Sequence, residues 1–131
     1  MPATVNALDI AVTDLGAAIE FYRRLGLEFV RDQYMPDDHA GCDLPNGLHL
    51  MLDTDEFRGK VTAGWKPPAS GRIFLTIQLE TPAAVDAKYA ELVADGVAGL
   101  QEPFDAPWRM PYATVADPSG NGVDLYAALK T

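Results

Sequence analysis

The stretch "YATVADPSGNGVDLYA", residues 112–127, decides how the chain is read. Asp117-Pro118 opens a turn, and Ser119-Gly120-Asn121-Gly122 supply the positive-φ geometry that only Gly and Asn take at little cost. Tyr112–Ala116 and Val123–Ala127 flank the turn as two strands. In the second, Val123 and Leu125 face one way and Asp124 faces the other. A carboxylate at that position is either a solvent-facing residue of a half-exposed sheet or a group aimed into a pocket.

Working outward, the same pattern occurs earlier. "LPNGLHLML" (44–52) matches "SGNGVDLYA" (119–127) around Asn-Gly, which sets Gly47 over Gly122, His49 over Asp124 and Leu50 over Leu125. Two longer openings match as well. "TVNALDIAVTDLGAAIEFYRRLGLEFV" carries a strand and then a helix with Asp14 as its N-cap. Leu15, Ala18, Ile19, Tyr22 and Leu25 recur there at helical spacing, and Gly26 stops the helix. "GRIFLTIQLETPAAVDAKYAELVADGVAGL" repeats the plan. Thr81 is its cap, and Pro82 sits at the first helical position, where its missing N–H costs nothing. Val85, Tyr89 and Leu92 form its stripe, and Gly96 ends it. Between helix and final strand each half has room for two more strands, about 27–34 and 39–44 in the first and 97–104 and 112–116 in the second. The order is βαβββ, twice, in a single α+β domain over 1–131. Module one covers 1–53, a polar Gly- and Pro-bearing connection 54–71, and module two 72–131.

The composition fits such a domain. The chain has 131 residues, 48% hydrophobic and 22% charged, enough for a core without staples. One cysteine, Cys42, allows no intramolecular disulfide, and nothing beside it marks a nucleophile. A net charge of −9 speaks against nucleic acid, whose phosphates need a basic surface, and favours a cationic ligand. No apolar run reaches membrane-spanning length, and "MPATVNALDI" lacks a basic segment followed by an apolar one. The expectation is a cytoplasmic protein with no membrane partner.

"AVTDLGAAIEFYRRLGLEF" (11–29), the Pro-Trp pair at 107–108 and "YATVADPSGNGVDLYA" together resemble the vicinal oxygen chelate superfamily. It includes glyoxalase I, extradiol dioxygenases and bleomycin-resistance proteins. The resemblance implies two βαβββ modules whose mixed sheets curl into a cup with the helices outside. The strand pattern agrees. Leu8, Ile10 and Val12 form one face of the first strand and Ala7, Asp9 and Ala11 the other. Leu75, Ile77 and Leu79 oppose Phe74, Thr76 and Gln78. His49, Met51 and Asp53 share the inner face of one final strand, and Gly122, Asp124 and Tyr126 that of the other. Asp124 is thereby placed on the wall of a cup.

Metal-using relatives present four ligand positions, which the resemblance maps onto Ala7, His49, Phe74 and Asp124. Ala7 and Phe74 cannot ligate, and a catalytic metal wants at least three protein ligands. A shifted triad of His49, Asp124 and Asp9 is the remaining way to hold a divalent metal ion. His39, near "PDDHA", reads as a loop or edge residue. The site expected is a metal-free pocket for a small molecule, lined by Asp9, His49, Met51, Phe74, Thr76, Trp108, Asp124 and Tyr126. Each has a plainer reading. His49 can be a hydrogen-bonded wall residue, Asp124 can pair with Arg109 or His49, and Phe74, Met51 and Tyr126 can be packing. Trp65 and Trp108, in "GWKPP" and "APWRMP", are rim residues or caps on the core. The function expected is sequestration of a cationic or aromatic compound. The alternative is a metal-dependent lyase, isomerase or dioxygenase with atypical ligands, or a metal-free variant in which Asp124 abstracts a proton. Curled sheets with open edges predict a twofold homodimer.

Overall fold

A computed structural model describes residues 4–68, 73–108 and 110–128. The chain comprises two compact units, Met1–Pro68 and Ala69–Thr131. The first holds β1 (Ala7–Val12), α1 (Leu15–Arg23), β2 (Val30–Arg31), β3 (His39–Asp43), β4 (His49–Thr54) and α2 (Asp55–Val61). Its mixed sheet runs β1-β4-β3-β2, with β1 parallel to β4 and the other pairs antiparallel. The second holds β5 (Phe74–Gln78), α3 (Pro82–Ala94), β6 (Gly99–Asp105), β7 (Pro111–Ala116) and β8 (Gly122–Tyr126). Its sheet repeats the arrangement as β5-β8-β7-β6. The fold is α+β, and the internal repeat is the βαβββ repeat of the two sheets.

The caps stand where the sequence puts them. Asp14 accepts the Ala17 N–H at 3.0 Å, and Thr81 accepts that of Ala84 at 3.1 Å with Pro82 opening α3. Each releases an orphan donor of the first turn from water. Against β4 the first unit buries Tyr22, Val12, Leu50 and Leu52; against β7 and β8 the second buries Val85, Leu92, Val115, Val123 and Leu125. Each such Leu or Val contributes about 1.5–3 kcal/mol of apolar transfer free energy. One full face of each sheet is thus consumed by a helix, and the alternate residues are left to form the other face.

The opening stretch folds as a hairpin, with Asp117 at its centre. Its carboxylate accepts the Ser119 and Asn121 N–H groups and the Asn121 side-chain amide. Gly120 takes φ +90°, which an L side chain rarely adopts. Gly122 serves differently from the turn role its sequence suggests. It lies inside β8, and a Cβ there would run into the Phe74 ring.

Two segments differ from the sequence expectation. The strand expected over 27–34 pairs only at Val30 and Arg31. Asp32 accepts the N–H groups of Tyr34 and Met35 and bends the chain away from the sheet. The connection 54–71 is not all loop, since it begins with α2. Thr54 caps that helix by accepting the Phe57 N–H at 3.1 Å, acids fill its first turn, and Arg58 and Lys60 lie in its last.

Candidate functional site

Each sheet turns a polar face away from its long helix. In the first unit this face starts from the pairing of β3 with β4. His39 lies opposite Asp53 and Asp43 opposite His49, so the two ends of the ladder each carry a cross-strand His–Asp pair. His49 Nδ1 is 2.7 Å from Asp43 Oδ1, and His39 Nδ1 is bonded to Asp53 Oδ1. An ionised carboxylate only accepts, so each ring donates from Nδ1. The His49 ring lies over Gly41, where a Cβ would collide with it. His39 is therefore no edge residue. It begins β3, between β4 and β2, with 19% of its side chain exposed.

The centre of this face belongs to α2. Arg58 Nη2 donates to Asp9 Oδ2 on β1 and to Asp53 Oδ2 on β4. The Asp53 side chain is 6% exposed and that of Asp9 16%, so the guanidinium compensates two carboxylates largely removed from water. Asp9 Oδ1 is buried and accepts no hydrogen bond. Asp9, expected on a ligand wall, is on the inner face with its other oxygen already committed to the chain's own arginine. Met51, opposite Asp9 in register, is half-buried between them. Sequence reading missed Arg58. The signal was a cation just after a capped acidic turn, in a half that places two acids on one apolar sheet.

In the second unit the polar face centres on Asp124. Its Oδ1 accepts the Thr114 hydroxyl at 2.7 Å. Its Oδ2 accepts the Tyr112 phenol at 3.1 Å and the Thr76 hydroxyl at 3.3 Å. The donors come from the strands on both sides, since β8 pairs Asp124 with Thr76 on β5 and with Thr114 on β7. No cation stands among its partners in the described residues. Arg109, the pairing partner weighed from sequence, lies outside them. Burial pushes the Tyr112 phenol above its ordinary pKa; a hydrogen bond with Thr76 opposes this, and the charge of Asp124 adds to it.

Aromatic rings surround the carboxylate. Trp108 meets Tyr112 edge-on, with centroids 5.0 Å apart and planes at 88°. Tyr112 and Tyr126 lie 6.0 Å apart with planes tilted by 30°. The Tyr126 hydroxyl donates to Gln78 Oε1 at 3.3 Å. Phe74 and Trp108 are 50% and 52% exposed, far too open for core residues of their size. Trp65 is half-buried beyond α2 in the first unit. Tyr112 and Thr114 were absent from the sequence-derived site. Their signal was the period of two in "YATVA" once the short turn fixes the register of β7 on β8.

The four positions marked for metal ligands do not make a metal centre. Ala7, opposite His49 in register, offers no donor. Asp124 has Thr76 opposite it on β5, while Phe74 lies opposite Gly122 and covers it with its ring. Asp9 is held by Arg58 and His49 by Asp43. Within either unit, no group of three His, Cys, Asp or Glu among the described residues is placed to hold an ion. This donor set does not fit a catalytic metal, which wants three protein ligands and an open position. Cys42 is buried and its thiol is pushed up by that burial, the reverse of an activated nucleophile. Among the described residues no helix is long and apolar enough to cross a membrane.

Comparison with known proteins gives a consistent picture. The family model described as Glyoxalase/Bleomycin resistance protein/Dioxygenase superfamily matches residues 4–125. No curated protein sequence matches the chain. Among solved structures the chain is similar to a hypothetical protein from S. aureus, with a TM-score of 0.82 and 20% identity over 98% of this chain and 95% of that one. It is similar to a glyoxalase/bleomycin resistance protein/dioxygenase from Nocardioides, with a TM-score of 0.74 and 25% identity over 99% and 86%. A lactoylglutathione lyase from Agrobacterium tumefaciens shares the fold, with a TM-score of 0.70 and 22% identity over 97% and 95%.

Proposed function

The chain belongs to the Glyoxalase/Bleomycin resistance protein/Dioxygenase superfamily, and from that premise we propose that it binds a flat, partly apolar cationic compound on the inner face of its second unit, without a metal ion. The observation that carries this reading is Asp124: a half-buried carboxylate held by three hydroxyls, with no cation among its described partners. Neutral donors fix its position and leave its charge uncompensated. Trp108, Tyr112 and Tyr126 add ring faces, each of which attracts a nearby cation by roughly 0.5–2 kcal/mol. A neutral apolar ligand gains from the rings but must desolvate the carboxylate without pairing it. An anion meets like charge.

No covalent chemistry is required of these residues. Asp124 fixes orientation, Thr76 and Thr114 hold Asp124, and the rings exclude water. The test is a titration of benzyltrimethylammonium, its neutral carbon isostere and phenylacetate, followed by tryptophan emission. The cation binds most tightly. Asp124→Asn weakens it by about tenfold, the equivalent of 1.4 kcal/mol, and leaves the neutral isostere unchanged. Preferential binding of phenylacetate, or an equal effect of the variant on all three, overturns the reading.

A further inference from the structure

The hydrogen bonds at Asp124 restrict which cation can be accepted, an inference that rests on the reading of the second unit just given. A carboxylate has about four acceptor positions, two on each oxygen. Oδ2 already accepts from Tyr112 and from Thr76, and Oδ1 accepts from Thr114. One position remains, on Oδ1. We propose that the ligand's cationic group carries at most one N–H: a tertiary amine or a quaternary ammonium joined to a flat ring, with Tyr112 as the residue that sets this specificity.

The geometry discriminates by donor count. A guanidinium or amidinium binds a carboxylate through two parallel N–H groups, one to each oxygen. Oδ2 has no position for the second. To accept the fork, Asp124 must release Tyr112 or Thr76, and the released hydroxyl is then left in a half-buried aromatic setting without its acceptor. A primary ammonium places one N–H on Oδ1 and carries two more to a surface made largely of rings. A tertiary ammonium spends its single N–H on Oδ1. A quaternary ammonium needs no acceptor, and its methyl groups meet ring faces while its charge stays beside the carboxylate. The rings suit this, because the edge-on Trp108–Tyr112 pair sets two ring planes at 88°.

The residues that restrict Oδ2 and Oδ1 can be changed singly. Tyr112→Phe keeps the ring and removes its hydroxyl, and Thr114→Val removes the donor to Oδ1 at nearly constant volume. The experiment is calorimetric titration of the whole chain with N,N-dimethylbenzylamine, benzyltrimethylammonium, benzylamine and benzylguanidine. Wild-type protein binds the first two about tenfold more tightly than benzylguanidine, the scale of one hydrogen bond broken without replacement. Tyr112→Phe frees a position on Oδ2 and brings benzylguanidine level with the tertiary amine. Thr114→Val frees a second position on Oδ1 and brings benzylamine closer to it. Tighter binding of benzylguanidine by the wild type, or a ranking unmoved by Tyr112→Phe, overturns the inference while leaving cation binding intact. Failure of all four cations to bind better than a neutral isostere removes the reading of the second unit and the inference with it.

Discussion

On the first unit the inner-face carboxylates Asp9 and Asp53 share the guanidinium of Arg58, whereas on the second Asp124 is held only by the hydroxyls of Thr76, Tyr112 and Thr114. The frames are the same: a four-stranded mixed sheet with its first strand parallel to its last. The difference comes from α2, which follows β4 directly and brings its own cation onto the sheet. An acid compensated by the chain's own arginine becomes part of the structure. An acid positioned by neutral donors keeps its charge for something else. Sheet topology therefore says little about which face binds, and the identity of the donors around each carboxylate says much.

The largest expected effect tests what the two halves have in common. Leu52 and Leu125 are both fully buried beneath equivalent helices. Leu52→Ala and Leu125→Ala are each expected to cost about 3 kcal/mol in urea unfolding. A cost confined to one of them would show that the units differ in their cores as well as in their polar faces.

A smaller effect addresses the difference itself. Arg58→Ala leaves Asp53 and Asp9 facing each other without a cation. Breaking a fully buried pair costs about 3–5 kcal/mol. The Arg58 side chain is 28% exposed, so solvent screening lowers the expected loss to about 2 kcal/mol. Asp9→Asn combined with Arg58→Ala should recover part of it, because one of the stranded charges is then gone. Cation binding on the second unit should not change. A loss below about 0.5 kcal/mol would class Arg58 with ordinary surface pairs and dissolve the contrast between the two faces.

These contrasts were unevenly visible in the sequence. The strands, caps and helix stripes were legible because each rests on a local rule: alternation, a side-chain oxygen three residues before an orphan N–H, an apolar row every turn. The inner-face placement of His49 and Asp124 followed from alternation alone. What could not be read depended on neighbours across the sheet. Thr76 rather than Phe74 lies opposite Asp124, because the parallel register of β5 on β8 differs by two residues from that of β1 on β4 relative to the matched positions His49 and Asp124. His39 looked like a loop residue among Pro36, Asp37 and Asp38, and only its pairing with Asp53 draws it onto the face. Helix α2 has seven residues, a glycine inside it and no buried side chain, so it carries no apolar stripe to find. Its acidic first turn and basic last turn were the only marks it left.

The subtlest expected effect is on proton equilibria. Burial raises the Tyr112 phenol, and the negative charge of Asp124 raises it further against the opposing hydrogen bond from Thr76. A phenol is uncharged when protonated, so a raised pKa means that the folded state favours the proton more than the unfolded state does. Its contribution to stability is intact below the ordinary tyrosine pKa of about 10 and is lost as pH rises through the higher folded value. Absorbance at 295 nm should show one tyrosine titrating later than an ordinary phenol, and Tyr112→Phe should remove that late step. Asp124→Asn should move the step downward yet not abolish its delay, because burial, the largest cause, remains. A late step untouched by Asp124→Asn would mean that the carboxylate exerts no field on the phenol it accepts from. The second unit would then lack the uncompensated charge that separates it from the first.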